Sequence, residues 1–108
     1  MTKVTVFRNS EDLVYGFQIS GHSGYAEEGS DIVCSAVSVL AYNTVNSIEV
    51  FTGDPAENLA VNEEDGYFYY RLKRVSKESE LLLNSFVLGI QSIEGSYGEF
   101  ITIEFEEG

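Results

Sequence analysis

One cysteine, one histidine, one proline and no tryptophan leave this chain poor in the residues that usually announce chemistry. A single cysteine cannot close an internal disulfide, and the reducing cytosol is the simplest compartment for such a protein. One Cys and one His also fall short of a zinc site, which takes about four N, S or O ligands. No metal and no other cofactor is therefore expected. Only six Lys and Arg stand against eighteen Asp and Glu, a formal net charge of -12. Binding nucleic acid normally requires a Lys/Arg stripe that displaces counterions from phosphate, so direct nucleic-acid binding is not expected. Such a surface attracts a basic partner instead, or simply keeps the protein soluble. No apolar run approaches the ~20 residues of a membrane-crossing helix. The opening MTKVTVFRNS lacks a basic segment followed by an apolar one, so neither a membrane span nor a signal peptide is expected.

What is present suits one domain over residues 1–108, with 44% apolar residues for a modest core. No repeat, linker or low-complexity tract interrupts it. KVTVFR (3–8) and LVYGFQIS (13–20) flank the turn cluster NSED and predict a hairpin. In the second strand Leu13, Tyr15, Phe17 and Ile19 fall on one face, and Gly16 marks a bulge or a close backbone approach. Residues 21–30 lack apolar periodicity and predict a loop. A helix is predicted from Asp31 to about Phe51, on the spacing of Val33, Val37, Leu40, Thr44 and Ile48. Ile32, Ala36 and Val39 add a second stripe, which predicts burial over much of its circumference. Asp31 or Ser30 can cap its start, and Pro55 lies just past its end. NLAVN (58–62) and GYFYYRL (66–72) around EEDG predict a second hairpin. Ser76 opens a second helix with the stripe Leu82, Phe86, Ile90 and Ile93, beside Leu83 and Val87, and Gly95 is expected to stop it. EFITIEF (99–105) is the last strand. The order ββαββαβ predicts an α+β fold in two layers, a mostly antiparallel sheet with two helices packed on one face.

The stretch GHSGYAEEGSDIVCSAV (21–37) carries both rare residues, His22 and Cys34. If Asp31 is the cap, Cys34 is the third helical residue. Free backbone N–H groups and the helix dipole then favour a thiolate, the nucleophile that acyl transfer needs. His22, at a strand end and the mouth of a glycine-rich loop, suits a general base. Free N–H groups at the helix start, that of Cys34 included, can form an oxyanion hole. Ser38 shares a helix face with Cys34, and Gly21, Gly24 and Gly29 let backbone approach a peptide. Asp31 can orient His22 or only cap the helix. The residues alone also permit a bland reading, a buried cysteine acting as a small hydrophobe and a solvated loop histidine. Phosphate cradling fits poorly, because Glu27 and Glu28 sit in the loop and no P-loop lysine follows.

Residues 19–40, ISGHSGYAEEGSDIVCSAVSVL, closely resemble the signature of the ribosomal-processing cysteine proteases, the Prp family. Gly21, His22, Gly24, Tyr25, Ala26, Gly29, Asp31, Ile32, Val33, Cys34, Ala36, Val37 and Ser38 match its pattern. Ser23 and Ser35 stand where alanine is commoner, a swap of small for small. The resemblance implies a Cys/His dyad carried by Cys34 and His22, with no metal. It implies removal of a short N-terminal extension from a large-subunit ribosomal protein, after paired aromatic residues, as a step required for ribosome assembly. It also implies an α/β homodimer. The aromatics Tyr25, Tyr42, Tyr67, Phe68, Tyr69, Tyr70 and Tyr97 are candidate walls for such a substrate. Two other functions compete: a non-enzymatic acidic module that docks a basic ribosomal protein, and a thiol redox enzyme. The second would use Cys34 without His22 and require an intermolecular disulfide.

Overall fold

The computed structural model describes residues 1–21 and 28–107, with residues 28–31 described by backbone alone. The elements are β1 (Thr2–Arg8), β2 (Val14–Ser20), α1 (Glu28–Phe51), β3 (Ala56–Asn62), β4 (Tyr67–Leu72), α2 (Lys77–Tyr97) and β5 (Ile101–Glu107). This is the expected α+β order. The sheet runs β3-β4-β2-β1-β5. Its hairpin neighbours and the β2–β4 pair are antiparallel. Only β1 and β5 run parallel, which makes the sheet mixed.

Alternation decides which face the helices cover. Val4 and Val6 of β1, Phe17 and Ile19 of β2, and Phe68 and Tyr70 of β4 point to one side and are buried. There they meet Val33, Val37, Ala41, Val45 and Ile48 of α1 and Leu83, Phe86 and Ile90 of α2. Phe17 is the centre, stacked on Phe86 with ring centroids 4.1 Å apart and flanked by Phe68 and Tyr70 at 5.7 Å each. Each such ring contributes roughly 1.5–3 kcal/mol by leaving water.

Four expectations need correction. First, the bulge at Gly16 is real: Phe7 pairs with Gly16 and Arg8 with Val14, leaving Tyr15 as an extra residue. One extra residue exchanges the faces of everything beyond it. Val14 therefore joins the core, while Tyr15 leaves the face of Phe17 and Ile19 and stacks with Phe7 at 6.0 Å on the other side. Gly16 is also a close approach, because a Cβ there would meet the carbonyl oxygen of Tyr70.

Second, α1 begins at Glu28, inside the span expected as loop. Ser30 and Asp31 thus lie within the helix and neither is its cap. Residues 28–31 are Glu, Gly, Ser and Asp, so apolar periodicity had nothing to register in that turn. Third, Ile32 and Val39 are exposed, so α1 buries one face rather than much of its circumference. Fourth, α2 passes through Gly95 and ends at Tyr97. An interior glycine costs a helix about 1 kcal/mol and does not by itself end it. Ser76 does cap α2, its side chain accepting from the N–H of Ser79.

Candidate active site

Antiparallel pairing of β1 with β2 sets Lys3 opposite Ser20, so the start of β1 lies beside the end of β2. Ile19 of β2 pairs in turn with Phe68, near the start of β4. The turn between β3 and β4 therefore projects at this same end of the sheet. The N-terminal half of α1 passes over it. Between them lies a pocket of about 270 Å³ lined by residues of all five segments. That is just below the ~300–1,000 Å³ typical of small-ligand pockets, room for a side chain or two of a peptide.

Helical spacing builds one wall. Cys34, Ser38 and Tyr42 recur every four residues and line the pocket together. The opposite wall is Val61, Glu63, Tyr67 and Phe68, and the floor includes Thr2, Ile19 and Gly21. Cys34 is free and half-buried. Its Sγ lies 3.3 Å from Oγ1 of Thr2, with either atom able to donate. Because α1 starts at Glu28, Cys34 is its seventh residue, not its third. Only the first four N–H groups of a helix lack an intrahelical partner, and dipole effects fade within the first turn. The N–H of Cys34 therefore belongs to the helical ladder rather than to an oxyanion hole. The helix end is also not what acts on the sulfur most directly.

At the far end of the pocket the Tyr42 hydroxyl donates to Oε1 of Glu63 at 2.8 Å. The Tyr42 ring meets Phe68 edge-on at 5.1 Å. That hydrogen bond, with burial and the negative charge of Glu63 adding to it, holds the Tyr42 phenol above the usual tyrosine value. The hydroxyl stays a donor, and the Glu63 carboxylate adds negative charge to the pocket wall.

Gly21 ends β2 with φ at +99°, a backbone shape side chains resist, and a Cβ there would meet the carbonyl oxygen of Met1. The backbone shape at Gly21 is thus specified by glycine, one residue before His22 in the sequence. Of the expected site residues, the structure brings Gly21, Cys34 and Ser38 to one pocket. His22, Gly24 and the side chain of Asp31 lie outside the described residues, as does Tyr25. Among the candidate aromatics Tyr42, Tyr67 and Phe68 line the pocket, whereas Tyr70 is buried in the core. Tyr69 packs against Phe7 on the uncovered face of the sheet. Nothing in the sequence points to Thr2 or Glu63 as site residues; Glu63 reads as a solvated charge of the turn EEDG. Neither carries a motif, and only strand pairing places them near Cys34. Among the described residues, no group of three or more His, Cys, Asp or Glu is placed to hold a metal ion. No helix among them is long and apolar enough to cross a membrane.

The chain resembles proteins of known activity over nearly its whole length. The family model described as "Cysteine protease Prp" matches residues 1–102. The ribosomal processing cysteine protease Prp of Bacillus subtilis is 27% identical over 109 residues, covering 95% of this chain and 96% of the relative. A crystal structure of the ribosomal processing protease Prp of S. aureus in complex with a substrate peptide superposes with a TM-score of 0.88. It is 28% identical and covers 98% of this chain and 100% of its own. The same S. aureus enzyme with a covalently linked product peptide gives a TM-score of 0.86 at the same identity and coverage.

Proposed function

The chain belongs to the cysteine protease Prp family, and we propose that it removes the short N-terminal extension of a large-subunit ribosomal protein, as a step in ribosome assembly. Residues 1–108 act in this reading as one catalytic domain, with Cys34 as nucleophile and His22 as general base. The observation that carries it is the position of Cys34, a free thiol half-buried in the wall of a pocket with room for a peptide side chain or two. The names of the relatives support the substrate class, and the covalently linked product peptide of the S. aureus enzyme supports nucleophilic catalysis.

His22 accepts the proton of Cys34 Sγ, and the sulfur attacks the scissile carbonyl carbon. The developing oxyanion needs hydrogen-bond donors other than the N–H of Cys34, which is held in the helical ladder. The C–N bond breaks, and the departing amine takes the proton from His22. Water then attacks the thioester while His22 accepts its proton. The carboxylate product leaves and the thiol is restored. The apolar wall of Val61, Tyr67 and Phe68 suits an aromatic substrate side chain. The net charge of -12 suits a basic ribosomal protein, whose approach it would accelerate at low salt. Action in the cytosol and pairing of two copies belong to the same reading; the lone cysteine suits a reducing compartment.

The test is to incubate the extended ribosomal protein with wild type and with Cys34→Ala and weigh the products. Wild type is expected to release one N-terminal peptide, and Cys34→Ala none while retaining its fold by circular dichroism. Cleavage by Cys34→Ala at the wild-type rate would overturn the proposal.

A further inference from the structure

We infer that Thr2 is a positioning residue for Cys34, its hydroxyl holding the sulfur in the pocket and donating a hydrogen bond to the thiolate form. The inference rests on the reading of Cys34 as nucleophile. Thr2 is only 2% exposed, and so deeply buried a hydroxyl takes a partner within the protein. Among the described residues, that partner is Cys34 Sγ at 3.3 Å. The hydroxyl is also held firmly. The N–H of Thr2 donates to the carbonyl of Phe100 at 2.9 Å, and Thr2 pairs with Ile101 across the parallel β1–β5 ladder. A strand locked on β5 thus presents one oxygen to the sulfur, and both residues open onto the pocket.

The chemistry follows from the donor inventory. A neutral thiol can give or accept this hydrogen bond. A thiolate has no proton and can only accept, and the threonine hydroxyl can turn to donate. A hydrogen bond made to the charged form favours that form and is stronger than one between neutral groups. Thr2 therefore supports the sulfur most when His22 has taken the proton. This matters because Cys34 lies beyond the first turn of α1, where the helix end would otherwise have supplied that help. The same contact limits rotation about the Cα–Cβ bond of Cys34 and keeps Sγ aimed into the pocket.

The discriminating experiment measures alkylation of Cys34 by iodoacetamide against pH, alongside peptide cleavage, in wild type, Thr2→Val and Thr2→Ser. Valine keeps the shape and strand preference of threonine without the hydroxyl; serine keeps the hydroxyl without the methyl. For Thr2→Val the alkylation profile is expected to move to higher pH. The rate at neutral pH should fall roughly three- to tenfold, the plateau at high pH should be unchanged, and kcat should fall in parallel. Thr2→Ser should restore both. If Thr2→Val folds poorly by its thermal melt, Thr2→Ser against Thr2→Ala makes the same comparison on a smaller side chain. Coincident alkylation profiles with and without the hydroxyl would overturn the role of Thr2 while leaving Cys34 as nucleophile. Cleavage by Cys34→Ala would instead overturn the nucleophile itself, so the two failures are told apart.

Discussion

Tyr42 and Glu63, 21 residues apart, are joined by a 2.8 Å hydrogen bond that ties α1 to the β3–β4 turn across the mouth of the pocket. Both side chains line the cavity that holds Cys34, yet both sit at the surface and bear little of the fold. Removing the tie should therefore loosen substrate binding more than it loosens the protein. Tyr42→Phe keeps the ring against Phe68 and deletes only the hydroxyl. KM for an extension peptide is expected to rise about three- to tenfold with kcat within about twofold of wild type. The melting temperature should barely move. Unchanged KM would mean that the tie does not shape the pocket.

His22→Ala should lower kcat/KM by ~100-fold or more, the usual scale for losing a general base. Binding of the peptide should persist, so a titration with Cys34→Ala and with His22→Ala/Cys34→Ala is expected to give similar affinities. A His22→Ala enzyme within tenfold of wild type would show that another group takes the thiol proton.

Gly21→Ala combines two penalties at one position. The backbone there has φ at +99°, and the new Cβ would meet the carbonyl oxygen of Met1. A side chain forced into such a conformation costs about 1–3 kcal/mol, so the denaturation midpoint should fall. Activity should fall further than stability, because Gly21 directly precedes His22 in the sequence. Comparing urea denaturation with kcat/KM at a temperature where the variant is fully folded separates the two effects.

How much of this could be read without coordinates depends on whether a residue's role is local. The strands and helices follow from periodicity: Phe17 and Ile19 alternate, and Leu83, Phe86 and Ile90 recur at helical spacing, and all five are buried. The first turn of α1 carried no apolar residue and so read as loop. Gly16 advertised a bulge, but the exchange of faces between Val14 and Tyr15 depends on which residue of the pair is left over, a matter of register. Cys34 and Ser38 share a wall because helix geometry requires it. Thr2 lies 32 residues from Cys34 in sequence, and only antiparallel pairing brings the start of β1 to the end of β2. Tyr42 was one aromatic among several until Glu63 faced it. The expected pairing of His22 with Cys34 rests on their places at a strand end and a helix start and, above all, on the resemblance; His22 lies outside the described residues.

The last prediction concerns the clasp between the helices. Oδ2 of Asp54, just past α1, accepts from the N–H of Ser76 at 3.0 Å, the hydroxyl of Ser76 at 2.6 Å and the hydroxyl of Ser79 at 2.5 Å. Ser76 is the residue that caps α2, and Ser79 is fully buried. The carboxylate thus joins the end of one helix to the start of the other. The hydroxyl of Ser76 first, then that of Ser79 and the N–H of Ser76, hold the Asp54 carboxyl below its ordinary value, with the charge of Arg74 assisting and burial opposing. A carboxyl depressed by folding stabilises the fold fully above its unfolded value, about 3.9. That contribution is lost as pH falls through the lower folded value. Asp54→Asn keeps an acceptor of the same shape and removes the charge. It should cost about 1–2 kcal/mol at neutral pH, the excess of a charge-assisted hydrogen bond over a neutral one. The gap between wild type and variant, read from urea denaturation at a series of pH values, should narrow as the medium is acidified below about pH 4. A gap that stays constant into acid would show that Asp54 acts by shape alone, not by its charge.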